Sequence, residues 1–287
     1  MTSAPLRILH LADAVFEEKA GGSRQVAREL MGEQTRIGHD VSILVARQVP
    51  GKPETWHDPL RGTVVQYDKG TSPGAWIANG RESCANLLAN AARENKPFDV
   101  VHTHFAYAAV GALQAIGTKI PHVRSFYGPW DGEGFVEDMG LAAKSPTWKK
   151  PLLTLRAHAK RAYRHKIEAD NLRQATRVII LSEQSRGEVA DFCYPHESVV
   201  KVPAGVNRER FHVDTQDAQA RAKARLQAGL PTGAFPLLLS VRRLVPRMGL
   251  ENLVAAIPTI RAQYPGVKLV IGGRGSLKET QIGRAHV

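Results

Sequence analysis

The sequence predicts an α/β protein of two domains, each a parallel sheet covered by helices on both faces, with the second domain incomplete. Three observations carry this. An apolar run at 6–11 leads to the glycine pair Gly21 and Gly22, and a similar run at 267–271 leads to Gly272 and Gly273. Between them, short strand-like apolar runs alternate with segments of helical period. Such alternation builds parallel sheets whose ligands lie beyond the carboxyl ends of the strands. A strand, a glycine turn and a helix start also suit an anion, because glycine lets backbone N–H groups close in and the first helical turn offers unpaired donors.

The first domain is assigned to 1–205. Runs at 6–11 and 41–46 flank a helix at 23–37, with Val26, Leu30 and Ile37 on one face and Ser23 as its cap. A strand at 63–67, an alanine-rich helix at 74–93 and strands at 98–104 and 120–126 follow. Glycine, proline and acidic residues interrupt the pattern at 128–148, which predicts a loop, either mobile and acceptor-facing or disordered. The stretch 149–174 reads as an amphipathic basic helix burying Leu152, Leu155, Ala159, Tyr163 and Ile167, with Lys150, Arg156, Lys160, Arg161, Arg164 and Lys166 around that face. A strand at 177–181, a short helix capped by Ser182 and a strand at 198–202 close the domain.

A polar linker is expected at 206–232, holding a helix at 218–228, and the second domain begins at 233–280 with a strand at 235–241 and one helix at 250–263. The last seven residues, 281–287, resemble a translated sequencing-library adapter and read as a non-native tail, so the natural protein is expected to continue.

Composition narrows the partners. Among 287 residues, 43% are hydrophobic and 23% charged, as in soluble globular proteins, and no apolar run is long enough for a membrane span or a secretory signal, which suggests the cytosol. Cys84 and Cys193 form no CxxC pair and read as structural. The net charge of +12 favours anionic partners: sugar nucleotides, acidic lipid surfaces or nucleic acid. Aromatics, at 6%, do not interleave with the basic residues as in a base-stacking surface, so no nucleic-acid partner is expected. The basic helix at 149–174 is read either as a solvated outer face or as a dock for an anionic membrane.

The glycine loops fail the dinucleotide fingerprint, since Lys278 stands where a third glycine should follow Gly273 and Gly275, and no acid ends the second strand. A tight turn without any ligand explains a lone glycine pair equally well. More telling is the segment 240–250, which places Arg242, Arg243 and Arg247 just beyond a strand. A guanidinium fork there would stabilise a departing diphosphate without a metal. The spacing of His102 and His104 puts both on one strand face, as metal ligands or as hydrogen-bond donors. With no third ligand at a recognisable spacing, no metal is expected.

Several motifs together resemble family 4 glycosyltransferases: Val202-Pro203-Ala204-Gly205-Val206-Asn207 with Phe211, Arg243-Leu244 leading to Gly249-Leu250, and Ile271-Gly272-Gly273-Arg274-Gly275. Asp99-Val100-Val101-His102-Thr103-His104 and Arg177-Val178-Ile179-Ile180-Leu181-Ser182 resemble that family's inner strands. The resemblance implies the GT-B fold, two Rossmann-like doubly wound domains, and transfer of a sugar from a nucleotide-diphosphate donor, with retention, to a glycan or lipid-linked acceptor. No further cofactor is implied. It places Gly21 and Gly22 beside the donor phosphates, His104 on the acceptor side, Arg243 on the diphosphate as the catalytic cation, and Gly273 and Gly275 against the nucleotide.

Three departures stand out against the family pattern. Tyr127-Gly128 replaces a histidine-glycine pair, so a phenol would meet the donor sugar. Met248 replaces a lysine, with Arg247 beside it as the available cation. The family's glutamate pair lies beyond the last residue, so this chain is expected to be inactive alone. Building of a cell-surface polysaccharide or glycolipid at the inner membrane face is implied, the alternatives being a sugar-nucleotide epimerase or a non-catalytic GT-B-like binding protein.

Overall fold

The computed structural model describes residues 4–16, 21–46, 49, 51–192, 195–209, 218–230, 232, 236–245 and 248–277. The chain divides into two compact units, Met1–Gly205 and Val206–Val287.

The first unit opens with β1 (Arg7–Ala12), α1 (Gly22–Arg36) and β2 (Asp40–Ala46). Both strands are buried nearly throughout, as expected of inner parallel strands with helices on both faces. α1 presses Ala27 and Met31 onto them. Ser23 is not its cap. The helix starts one residue earlier than its apolar period indicates, so Gly21 is the N-cap and no side chain caps the end.

β3 (Thr55–Asp58) and β4 (Gly62–Tyr67) form a hairpin that the sequence did not announce. Its turn needs Gly62, whose φ of 85° is left-handed and whose Cβ, if present, would strike the Val41 carbonyl. α2 (Pro73–Arg93) starts as a helix should, with Ser72 Oγ accepting from the Ala75 N–H at 3.1 Å and proline in the first turn. It buries Cys84 completely.

After β5 (Val100–Thr103) comes α3 (Ala106–Ile116), a helix with seven of its residues buried. Gly111 lies against the backbone of α2, where a Cβ would strike the Ile77 carbonyl. β6 (His122–Phe126) is followed by α4 (Trp130–Lys144), where the sequence suggested a loop. Three glycines do weaken this helix, by about 1 kcal/mol each relative to alanine. Tertiary pairing outweighs them: Asp138 accepts from Lys160 at 2.7 Å and from Arg164 at 2.8 Å, and Asp131 and Glu133 sit at the positive end of the helix.

Those cations belong to α5 (Lys150–Gln174), and their inward pairing turns the helix away from its expected face. Ile167 is buried, but Leu152, Leu155 and Tyr163 are 69%, 68% and 48% exposed. Ala157, Glu168, Ala169, Asn171 and Leu172 pack instead. β7 (Arg177–Ile180), α6 (Gln184–Ala190) and β8 (Val199–Lys201) complete the unit. The α6 N-cap is Glu183 rather than Ser182, whose hydroxyl lies 3.4 Å from that of Ser185.

All eight strands form one sheet in the order β3-β4-β2-β1-β5-β6-β7-β8, parallel except for β3. β1 has β2 on one side and β5 on the other, so strand order reverses between β1 and β5. That reversal opens a crevice at the carboxyl edge of the sheet, the usual ligand position in open α/β folds.

The second unit contains α7 (Ala218–Gln227), β9 (Leu237–Val241), α8 (Leu250–Ala255), α9 (Ile257–Gln263) and β10 (Lys268–Gly272). β9 and β10 pair in parallel, with Leu239 opposite Val270. The single helix expected at 250–263 is two, because Pro258 in the first turn of α9 breaks the run.

Candidate functional site

Three histidines are buried at the switch point between β1 and β5. His10 comes from β1, His102 from β5 and His104 from the residue that follows β5, and all are buried, at 0%, 5% and 5% exposure. Period two points His102 and His104 the same way, and the register that sets His10 opposite His102 brings the third ring to them. Their rings stack, with centroids 5.2 Å apart for His10 and His104 and 4.3 Å for His102 and His104. One ligand atom from each ring lies within 4.8 Å of the others.

The rings are bonded into a chain. His10 Nε2 is 2.8 Å from Gln34 Oε1 on α1, His10 Nδ1 is 2.9 Å from His104 Nε2, and His104 Nδ1 is 2.9 Å from the Tyr127 hydroxyl. His102 Nε2 is 2.8 Å from Ser125 Oγ. Burial pushes the His10 pKa down to about 4, against the opposing pull of the Gln34 bond. Burial, then the other imidazoles and the nearby Arg124, hold His102 and His104 well below the ordinary imidazole value, so all three are neutral at pH 7. Burial likewise raises the Tyr127 phenol.

Beside His104 a small cavity reaches the start of α1, lined by Asp13, Val15, Ser23, Arg24 and Ala27 among others. Arg24 donates to Asp13 at 2.6 Å across it. Among the described residues, a Cβ on Gly21 or Gly22 would meet nothing within 4 Å. The first turn of α1 carries no acidic residue, and its N-cap Gly21 has no side chain to cap it, so the positive end of the helix dipole faces this side of the sheet without a carboxylate of its own. A separate groove along α5 involves no strand end, and Arg161, His165, Lys166 and Arg173 in it already pair with Asp131 and Asp170.

Of the expected site residues in the first unit, His104 lines this cavity with Ser23 and Arg24, Tyr127 bonds to His104, and Gly21 and Gly22 stand at the start of α1 just before Ser23. Arg243, Gly273 and Gly275 lie in the second unit, at the carboxyl ends of β9 and β10. There the two loops run side by side, with Leu244 N donating to the Arg274 carbonyl at 2.9 Å and Arg242 N to the Gly272 carbonyl at 3.0 Å. A Cβ on Gly273 would strike the Arg242 carbonyl and one on Gly275 the Leu244 carbonyl, so backbone contact alone requires both glycines. Arg243 is exposed on this edge, and Arg242 reaches the Met248 sulfur at 2.9 Å. Arg247, Phe211, Cys193 and the tail 281–287 lie outside the described residues.

Sequence reasoning missed His10, Gln34 and Ser125. Spacing could not pair His10 with His102 across such a separation, although a lone polar residue in the buried run Ile8-Leu9-His10-Leu11 was a signal.

The model of Glycosyltransferase Family 4 matches residues 20–210. The chain belongs to glycosyltransferase family 4. Among curated proteins, it is 36% identical over 109 residues to the GDP-mannose-dependent alpha-(1-6)-phosphatidylinositol monomannoside mannosyltransferase of Mycobacterium tuberculosis, covering 38% of this chain and 27% of that protein. The enzyme of the same name from Mycolicibacterium smegmatis is 35% identical over 103 residues, 36% of this chain and 26% of that protein. The match therefore spans about a quarter of these relatives.

The fold of this family 4 chain resembles that of sucrose-phosphate synthase from Thermosynechococcus elongatus, with a TM-score of 0.63 at 20% identity over 97% of this chain and 65% of that one. Anabaena HepE in complex with UDP gives 0.61 at 16% identity, over 98% and 65%. The fold is the GT-B type.

Proposed function

We propose that this family 4 chain takes part in transfer of a sugar, with retention, from a nucleotide-diphosphate donor to a glycan or lipid-linked acceptor. The observation that carries the reading is the cavity at the β1/β5 switch point, where the start of α1, free of acidic residues, adjoins the neutral His104, itself hydrogen-bonded to Tyr127. An anion suits the first feature and a sugar the second. In the second unit Arg243 stands exposed on the strand edge, free of the packing that constrains its neighbouring glycines.

In the proposed step the bond from the anomeric carbon to the diphosphate oxygen breaks while the acceptor hydroxyl bonds to that carbon from the same face. The hydroxyl proton passes to the departing phosphate oxygen. Arg243 offsets the charge gathering on the diphosphate, a role for which a guanidinium needs no metal. The mannosyltransferase relatives make GDP-mannose the first donor to try. Differential thermal stabilisation by GDP-, UDP- and ADP-sugars, each with and without chelator, tests the reading. Stabilisation by one sugar nucleotide, unaffected by chelator, is expected, and indifference to all of them overturns it.

The acceptor side of the proposal includes a membrane. No helix among the described residues is long and apolar enough to cross one. Trp148 is 77% exposed, though, and with Leu152 and Leu155 it forms an apolar surface at the start of α5 beside Lys149, Lys150 and Arg156. Apolar side chains ringed by cations suit peripheral docking on anionic lipid, at the cytoplasmic face in this reading.

A further inference from the structure

The chain of hydrogen bonds around His10 has a direction, and one residue sets it. The amide oxygen of Gln34 can only accept, so at 2.8 Å His10 Nε2 must carry the proton. A neutral imidazole has one N–H, which makes His10 Nδ1 an acceptor and requires His104 Nε2, 2.9 Å away, to donate. His104 Nδ1 is then an acceptor in turn, and the Tyr127 hydroxyl at 2.9 Å gives it its proton. His102 stands outside this chain of bonds, its Nε2 lying 2.8 Å from Ser125 Oγ. Every bond from Tyr127 to Gln34 then points the same way.

We propose that Gln34 and His10 are positioning residues that keep the Tyr127 hydroxyl donating to His104 Nδ1, so that the phenol oxygen meets a bound ligand as a hydrogen-bond acceptor. The ligand group it selects is a donor, a sugar hydroxyl, and an oxyanion is refused. This rests on the reading that the switch crevice holds the donor sugar, whereas the direction of the chain rests on geometry alone. The device requires the rings to stay neutral. His10, His102 and His104 face one another, with His122 and the Arg124 guanidinium as the further charged or titratable neighbours, and a second cation among them is disfavoured. The same arrangement argues against a metal on the three rings. The nitrogens that would bind it are engaged in hydrogen bonds, and the cluster supplies no carboxylate to offset a dication beside Arg124.

Long-range proton–nitrogen NMR of the nitrogen-15-labelled chain reads the tautomers directly. His10 and His104 should both be Nε2–H and unchanged from pH 5.5 to 8. Gln34→Glu, which still only accepts, should keep that pattern, and Gln34→Leu should lose it. A proton on His104 Nδ1, titration at the ordinary imidazole pKa, or movement of all three histidines with one equivalent of zinc overturns the proposal. For the ligand, Tyr127→Phe and Gln34→Leu should each weaken GDP-mannose about threefold to tenfold and leave GDP unchanged, with Gln34→Glu close to the parent. Equal weakening of GDP and GDP-mannose overturns the selection. Expected tautomers with no affinity for either nucleotide would count against the transfer reading and leave the direction of the chain standing.

Discussion

Arg124 in β6 and Glu168 in α5 form an ion pair of 2.6 Å between groups that are 3% and 0% exposed. Arg124 also donates to the Ser125 carbonyl at 2.8 Å, so the pair ties the helix to the strand that carries Ser125 and leads into Tyr127. Removing one partner strands a buried charge, and Glu168→Ala should destabilise the first unit by about 3–5 kcal/mol. Urea unfolding measures this. Replacing both residues together, Arg124→Met with Glu168→Leu, should recover much of the loss, because the desolvation cost disappears with the charges.

Two glycines should respond in opposite ways. Gly111→Ala drives a methyl into the Ile77 carbonyl between α2 and α3, and overpacking of this kind costs about 1–3 kcal/mol. Gly22→Ala adds a methyl in open space within a helical turn and should leave the urea midpoint unchanged or slightly raised. If a phosphate approaches the start of α1, that same methyl should weaken sugar-nucleotide binding, as calorimetry would show.

Stability should fall with acid before the carboxylates titrate. His10 and His122 are held at about 4 by burial, below the ordinary value of 6.5, so between those values the unfolded chain takes up protons that the folded one refuses. The stabilisation is complete above pH 6.5 and is lost as the pH falls toward 4, at about 1.4 kcal/mol per pH unit for each histidine. Urea midpoints at intervals from pH 7.5 to 4.5 check the slope, and a His122→Asn variant should make it shallower.

Trp148→Ser with Leu152→Ser should cut binding to vesicles rich in anionic lipid severalfold without lowering the melting temperature, since both side chains are mostly exposed. Flotation against neutral vesicles separates the charge contribution of Lys149, Lys150 and Arg156 from the apolar one.

The sheet of the first unit was largely legible because β1, β2 and β7 are short, mostly apolar runs and α1 and α2 carry clear helical period. α3 was not, since 106–116 is apolar on almost every side and shows no polar face to give it away. α4 was hidden because what holds it, Asp138 on Lys160 and Arg164, is a contact between helices that no local pattern records. For the same reason α5 was read with the wrong face: Lys160 and Arg164 looked like solvent-facing residues until Asp138 gave them an inward partner. In the site, Gly21, His104 and Tyr127 could be placed at strand ends, but Gln34 and His10 could not be joined to them without knowing that β1 lies beside β5.

That position of β1 bears on how the polypeptide assembles during synthesis. Arg7 pairs with Asp40, so β1 finds its first neighbour soon after emerging, whereas its other edge waits until Val100 arrives opposite Ile8. From that moment β5, β6, β7 and β8 add in chain order along one growing border, each to the strand made just before. A ribosome stalled ahead of β5 would therefore hold a half-sheet with an open, hydrogen-bond-hungry flank, the intermediate most in need of a chaperone.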